Sequence, residues 1–232
     1  MTLESTDCDS TESQRGRRSV HLAETDRLEA FSDGVFAIVV TLLVLDLKEP
    51  AHSAGQLLAA LGRQWPAYLA YFASFAYVAV IWLNHHQTFV GIQRVNRGVH
   101  FANLCLLFTT ALIPFPTAVL SHAFIAGIDS SDAHTAVGLY ASVAAAMCVS
   151  WLLLYHQVHR HRDRLLEEKV DREMFGTERA RAIIGIVTYS VAGLVGAVWL
   201  PAIALVAFVA LPTFYGLTSE GLRAIVAKKE LT

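Results

Sequence analysis

Residues 27–47 read RLEAFSDGVFAIVVTLLVLDL. The run is long enough to cross a bilayer, which takes roughly 20 mainly apolar residues, yet it carries an acid inside it. Asp33 lies about 9 Å beyond Arg27 along a helix axis at about 1.5 Å per residue. An ionisable group at that depth is costly and marks a functional or architectural site. Asp33 therefore calls for a partner from another segment.

The rest of the chain fits a membrane setting. Of 232 residues, 54% are hydrophobic and 16% charged, with mean hydropathy +0.45. A soluble domain carries about 25% charged residues. The net charge of −2 argues against a nucleic-acid partner. Cys8, Cys105 and Cys148 make no disulfide framework, since the last two lie in apolar runs where cysteine behaves as a small hydrophobe. His156, His159 and His161 stand among arginines in a polar linker and make a poor metal site. No P-loop, dinucleotide fingerprint, nucleophile elbow or zincin motif occurs, so neither enzyme nor cofactor is expected.

Six apolar segments predict an all-α membrane protein. They cover about 27–47, 65–84, 101–121, 135–155, 182–199 and 201–217. They form one membrane domain, residues 26–217. Residues 1–25 read as a disordered cytoplasmic tail rather than a cleaved signal peptide, and 218–232 as a second cytoplasmic tail. Pro114 and Pro116 predict a kink or an end in the third segment. The fifth and sixth segments meet at Leu200 and Pro201, which predicts a tight helical hairpin, since proline starts helices well. Lys and Arg gather on one side of these spans: before residue 28, at Arg94 and Arg97, through 160–181 and at 223–229. The other side has Lys48 and Arg63. The positive-inside rule then places both termini in the cytoplasm.

On a helical wheel, Ile38, Leu42 and Leu45 fall within about 60° of one another, on a stripe shared with Phe31 and Arg27. Asp33 falls about 140° from Ile38. The two faces therefore serve different surfaces. On the residues alone, the stripe fits ordinary packing better than a lining role. The second segment ends in WLNHHQTF, at the depth where the first begins, so Asn84, His85 and His86 are candidate partners for Asp33. Adjacent histidines point to different helix faces, which argues against a metal shared between them.

The R-x-x-x-F-S-D-G run (Arg27, Phe31, Ser32, Asp33, Gly34) resembles the signature of the transmembrane protein 175 family of potassium channels, in its bacterial single-repeat form. The W-x-x-H-H-x-x-F element (Trp82, His85, His86, Phe89) and Asn103 followed by Pro114, Phe115, Pro116 and Thr117 are also similar to that family. The resemblance implies a homotetramer in the cell membrane, with the first helix of each subunit lining a central pore. It implies a leak-type K⁺ channel, with some proton permeation, whose constriction is a ring of branched apolar side chains instead of a carbonyl filter. Those rings map onto Ile38, Leu42 and Leu45, and Thr41, about 60° from Ile38, is expected to brace the ring by a bond to an adjacent helix. Arg27, Phe31, Ser32, Asp33, Gly34, His85, His86 and Asn103 are expected to form the motif's structural network. A proton-coupled secondary transporter is the alternative, disfavoured by the position of the charged cluster near one end of the spans.

Overall fold

The computed structural model describes residues 25–161, 165 and 172–218, with side chains through the helices over 25–160, 180–198 and 201–213. The expected tails, apart from Thr25 and Thr218, and most of the 162–171 linker lie outside the described residues. Every regular element is a helix. Helix α1 covers 25–43 and tightens into a 3-10 turn at Val44–Asp46. It is followed by a short α2 (Leu57–Arg63), then α3 (Trp65–Val90), α4 (Arg97–Ala111), α5 (Pro114–Ala126), α6 (Ser131–Arg160), α7 (Arg172–Val198) and α8 (Pro201–Thr218).

Local chemistry explains the breaks. Asn96 caps α4 by accepting the Val99 amide at 2.8 Å, and Ser130 caps α6 by accepting that of Ala133 at 3.1 Å. Pro114 has no N–H to continue α4, so the chain breaks at Leu112 and Ile113 and restarts as α5. The third apolar segment is thus a kinked span that continues to Ala126 rather than ending at its prolines. Trp199 and Leu200 separate α7 from α8, and the two helices pack on each other as the expected hairpin.

Five helical stretches are long and apolar enough to cross a membrane: Thr25–Asp46, Trp65–Val90, Arg97–Ala126, Ser131–Arg160 and Ala180–Val198. The apolar part of α8, Pro201–Thr213, is shorter than these. Side-chain and backbone bonds tie the ends together. On one side Gln64 donates to the Lys48 carbonyl at 3.0 Å, and His134 Nδ1 donates to the carbonyls of Gly196 and Ala197 at 3.1 Å. On the other side the Gln93 amide donates to the Leu165 carbonyl at 2.8 Å.

Helix α6 is the spine, buried along its length from Ala133 to Val158 and packed against α4, α5, α7 and α8. Its approach to α7 is close because α7 offers no side chain where they meet. A Cβ on Gly193 would overlap that of Ala141, and one on Gly196 would sit 2.5 Å from the Ala204 Cβ. A second fixed point is polar. Tyr140 donates to Ser74 at 3.1 Å, Ser74 to Thr117 at 2.8 Å, and Thr117 to the Ile113 carbonyl at 2.7 Å. All three hydroxyls are buried and each has a partner, as interior polar groups require.

Candidate functional site: the two faces of the first helix

Helix α1 divides along its length. Phe36, Val39 and Leu43 are at most 2% exposed and pack into the core. Ile38, Leu42 and Leu45 are 59%, 42% and 66% exposed, with Phe31 on the same side. Gly34 belongs to this open face, with nothing within 4 Å of a Cβ placed on it. Only 28% of the apolar window of α1 is buried, against 33–50% for the other long spans. The first helix therefore shows the most apolar surface of any span.

The inward face carries the polar residues. Ser32 is fully buried and donates to the Leu28 carbonyl at 2.8 Å. Its oxygen accepts from Asn103 Nδ2 at 3.0 Å, and Asn103 Oδ1 accepts from His85 Nε2 at 2.8 Å. The chain of donors is consistent from end to end: histidine to amide, amide to hydroxyl, hydroxyl to backbone. It fixes the His85 proton on Nε2 and leaves Nδ1 buried without a partner. The His85 ring stacks on Phe89 at 4.3 Å and meets Phe36 edge-on at 5.3 Å. Three helices, α1, α3 and α4, are thereby joined at one level.

Beside this chain runs a ladder between α1 and α3. Trp82 Nε1 donates to Asp33 Oδ1 at 2.9 Å. One turn away, His86 Nδ1 donates to Glu29 Oε1 at 2.6 Å. Glu29 and Asp33 are four residues apart on α1, as Trp82 and His86 are on α3, so each pair shares a helix face. The rings of Trp82 and His86 stack at 6.1 Å.

The structure corrects several expectations. Asp33 is bonded to Trp82 rather than to His85, His86 or Asn84. His85 and His86 point to different faces, one into the Asn103 chain and the other to Glu29, and Asn84 lines a separate cleft. Arg27 is exposed on the stripe's side and makes no bond to Asp33. Thr41 donates to the Ile38 carbonyl of its own helix at 2.8 Å, not to an adjacent helix. No other helix of this chain covers that face, and a helical threonine readily bonds the carbonyl three or four residues back. Glu29 escaped the sequence reading, although its position one turn before Asp33 was the available signal.

Residues 27–114 match the family model described as the endosomal/lysosomal potassium channel TMEM175. A potassium channel from Streptomyces collinus is 40% identical over 167 residues, which is 72% of this chain and 79% of that one. The chain belongs to the TMEM175 family. The human endosomal/lysosomal proton channel TMEM175 is 42% identical over 97 residues, 38% of this chain and 19% of the human one. The fold agrees: the crystal structure of a lysosomal potassium-selective channel TMEM175 homolog from Chamaesiphon minutus has TM-score 0.73 and 30% identity, covering 84% of this chain and 97% of that one. As a TMEM175 member with several spanning helices, the protein is a multi-pass membrane protein. The TMEM175 model takes in both the ladder and the Ser32–Asn103–His85 chain.

Proposed function

We propose that this protein is a potassium-selective, leak-type channel of the cell membrane that also passes protons. Four copies assemble around a central axis, and α1 of each lines the pore. Ile38, Leu42 and Leu45 form the constriction, with Thr41 beside them. Helix α8 is the sixth span, and both termini are cytoplasmic, on the side rich in Lys and Arg. The ladder and the Asn103 chain hold the back of α1, so that its apolar front stands in a fixed position.

The observation that carries this reading is the division of α1. Its polar residues are bonded inward to α3 and α4, and its Ile/Leu stripe faces away from the chain's own core. Lipid alone would satisfy such a stripe, but related chains named as potassium channels favour a pore. A ring of branched apolar side chains offers no ligands, so an ion passes by partial dehydration and pore wetting. Potassium holds its water less tightly than sodium and meets the smaller penalty.

The test is passive flux. Purified protein in liposomes loaded with K⁺ is expected to release it down its gradient, with no second ion gradient imposed. Flux that appears only with a proton or sodium gradient would overturn the channel reading in favour of a coupled transporter.

A further inference from the structure

A cleft lies between α3, α6 and α7, on the side of the bundle away from the Lys48–Gln64 end. It holds about 450 Å³ free of protein atoms, part of it open to the exterior. Asn84 and Arg181 are at its mouth, Trp151 and Tyr155 form a wall, and Tyr77 and Cys148 are its floor. Mouth and floor are seven residues apart on both α3 and α6, or about 10 Å at the helical rise. The opening is at the membrane boundary, because the apolar stretch of α7 begins at Ala180. The floor is at the depth of the hydrocarbon.

The two ends differ in chemistry. At the floor, Tyr77 and Cys148 are buried among apolar neighbours. The Trp151 and Tyr155 rings stack at 5.2 Å and present a flat aromatic wall. At the mouth, Asn84 and Arg181 are both half-buried, and the Asn84 side-chain amide makes no hydrogen bond among the described residues. A guanidinium and an amide at the rim of an apolar cleft match an anionic head on an apolar tail. Arginine presents several donors in a fork suited to phosphate.

The surrounding charge does not supply this preference. Residues 156–181 contain seven Lys/Arg and six Asp/Glu, so the linker as a whole is nearly neutral. A diffuse polybasic surface is therefore not what would hold an anion here; the local pairing of Arg181 with the cleft is. Basic pockets between membrane helices take phospholipid head groups by this combination.

We infer that the α3–α6–α7 cleft, with Arg181 and Asn84 at its mouth and Tyr77 and Cys148 at its floor, is a binding site for an anionic phospholipid, whose phosphate meets Arg181 and whose acyl chain enters the cleft. The inference concerns lipid binding, not conduction, so it is independent of which ion the pore passes.

The test uses the full-length protein purified in a mild detergent, with phosphatidylglycerol and phosphatidylcholine as probes. Retained lipid is measured by native mass spectrometry, and thermal unfolding is followed alongside. The wild type is expected to retain phosphatidylglycerol in preference to phosphatidylcholine. Arg181→Gln should weaken this retention about fivefold, the worth of one basic residue near an anionic surface, and Arg181→Lys should restore most of it. Val80→Phe leaves Arg181 in place but narrows the cleft, and should also reduce retention. Arg160→Gln, at the exposed end of α6, should leave it unchanged. Equal retention of the two lipids by the wild type would overturn the inference. So would undiminished retention by both Arg181→Gln and Val80→Phe, or an equal loss in Arg160→Gln, which would mean diffuse surface attraction. Soluble glycerol phosphate should not stabilise the protein; if it matches phosphatidylglycerol, the site binds a free phosphate and no lipid.

Discussion

The indole of Trp82 donates to the Asp33 carboxylate at 2.9 Å, and this bond sets how α1 meets α3. Removing the donor should be felt directly. Trp82→Phe keeps an aromatic ring for His86 to stack on but leaves the carboxylate without its N–H. Hydrogen bonds to charged groups contribute about 1.5–3 kcal/mol. Both side chains are partly exposed, so a loss near the lower end is expected. Asp33→Asn retains an acceptor oxygen and should cost less than Asp33→Ala. Thermal unfolding of the purified protein gives the ordering. Equal melting of Asp33→Asn and Asp33→Ala would mean that the acceptor is not what matters.

Ser32, Asn103 and His85 act as one chain, so their substitutions should not add. Ser32→Ala leaves Asn103 Nδ2 without an acceptor, and Asn103→Ala strands both His85 Nε2 and Ser32. The double variant should be less destabilised than the sum of the singles. Members of one buried network show coupling of about 0.5–3 kcal/mol. Strict additivity in a double-mutant cycle would show that the three side chains are neighbours without being a unit. Glu29→Gln, on the separate ladder, is the matched comparison and should add to either single change.

The α6–α7 contact depends on the absence of side chains. Gly193→Ala would place a methyl against that of Ala141, and Gly196→Ala one 2.7 Å from Val137 Cγ1 and closer still to Ala204. Overpacking of a fitted core costs typically about 1–3 kcal/mol. Gly138→Ala, whose added carbon would meet Ala197 at an ordinary 3.7 Å, should be neutral or slightly stabilising, because alanine favours the helix. Melting temperatures that fall for Gly138→Ala as much as for Gly193→Ala would contradict this packing.

These relationships differ in how far the sequence foretold them. That Asp33 needed a partner followed from its depth, and that it faced away from Ile38 followed from the wheel. Which residue would meet it did not follow. The pairing of Glu29 and Asp33 with His86 and Trp82 depends on where α1 crosses α3, and no periodicity in either segment fixes that crossing. Adjacent histidines had to diverge, but only the packed helices show that His85 turns to Asn103 while His86 turns to Glu29. Thr41 was expected to reach outward, yet its hydroxyl had a carbonyl of its own helix within range. The α3–α6–α7 cleft was not legible at all, because its six named residues come from three separated segments.

The stripe on α1 gives the prediction that bears most directly on conduction. Ile38 and Leu42 are exposed in the single chain, and asparagine there disturbs no contact of the core. If they narrow a pore, Ile38→Asn and Leu42→Asn put hydrogen-bonding groups where an ion must otherwise shed water without compensation. The pore should then wet more readily, with larger current and weaker preference for K⁺ over Na⁺. Val206→Asn, on the exposed face of α8, is the control for placing an amide on an apolar membrane helix, and should leave selectivity unchanged. Val39 is unsuitable for that purpose, since it is 2% exposed and its replacement would disrupt the core. The measurement is the reversal potential under bi-ionic K⁺/Na⁺ conditions in planar bilayers. A shift toward zero for Ile38→Asn and Leu42→Asn, with none for Val206→Asn, is expected. If neither α1 substitution moves the reversal potential, the stripe is a packing surface and the ion path lies elsewhere in the protein.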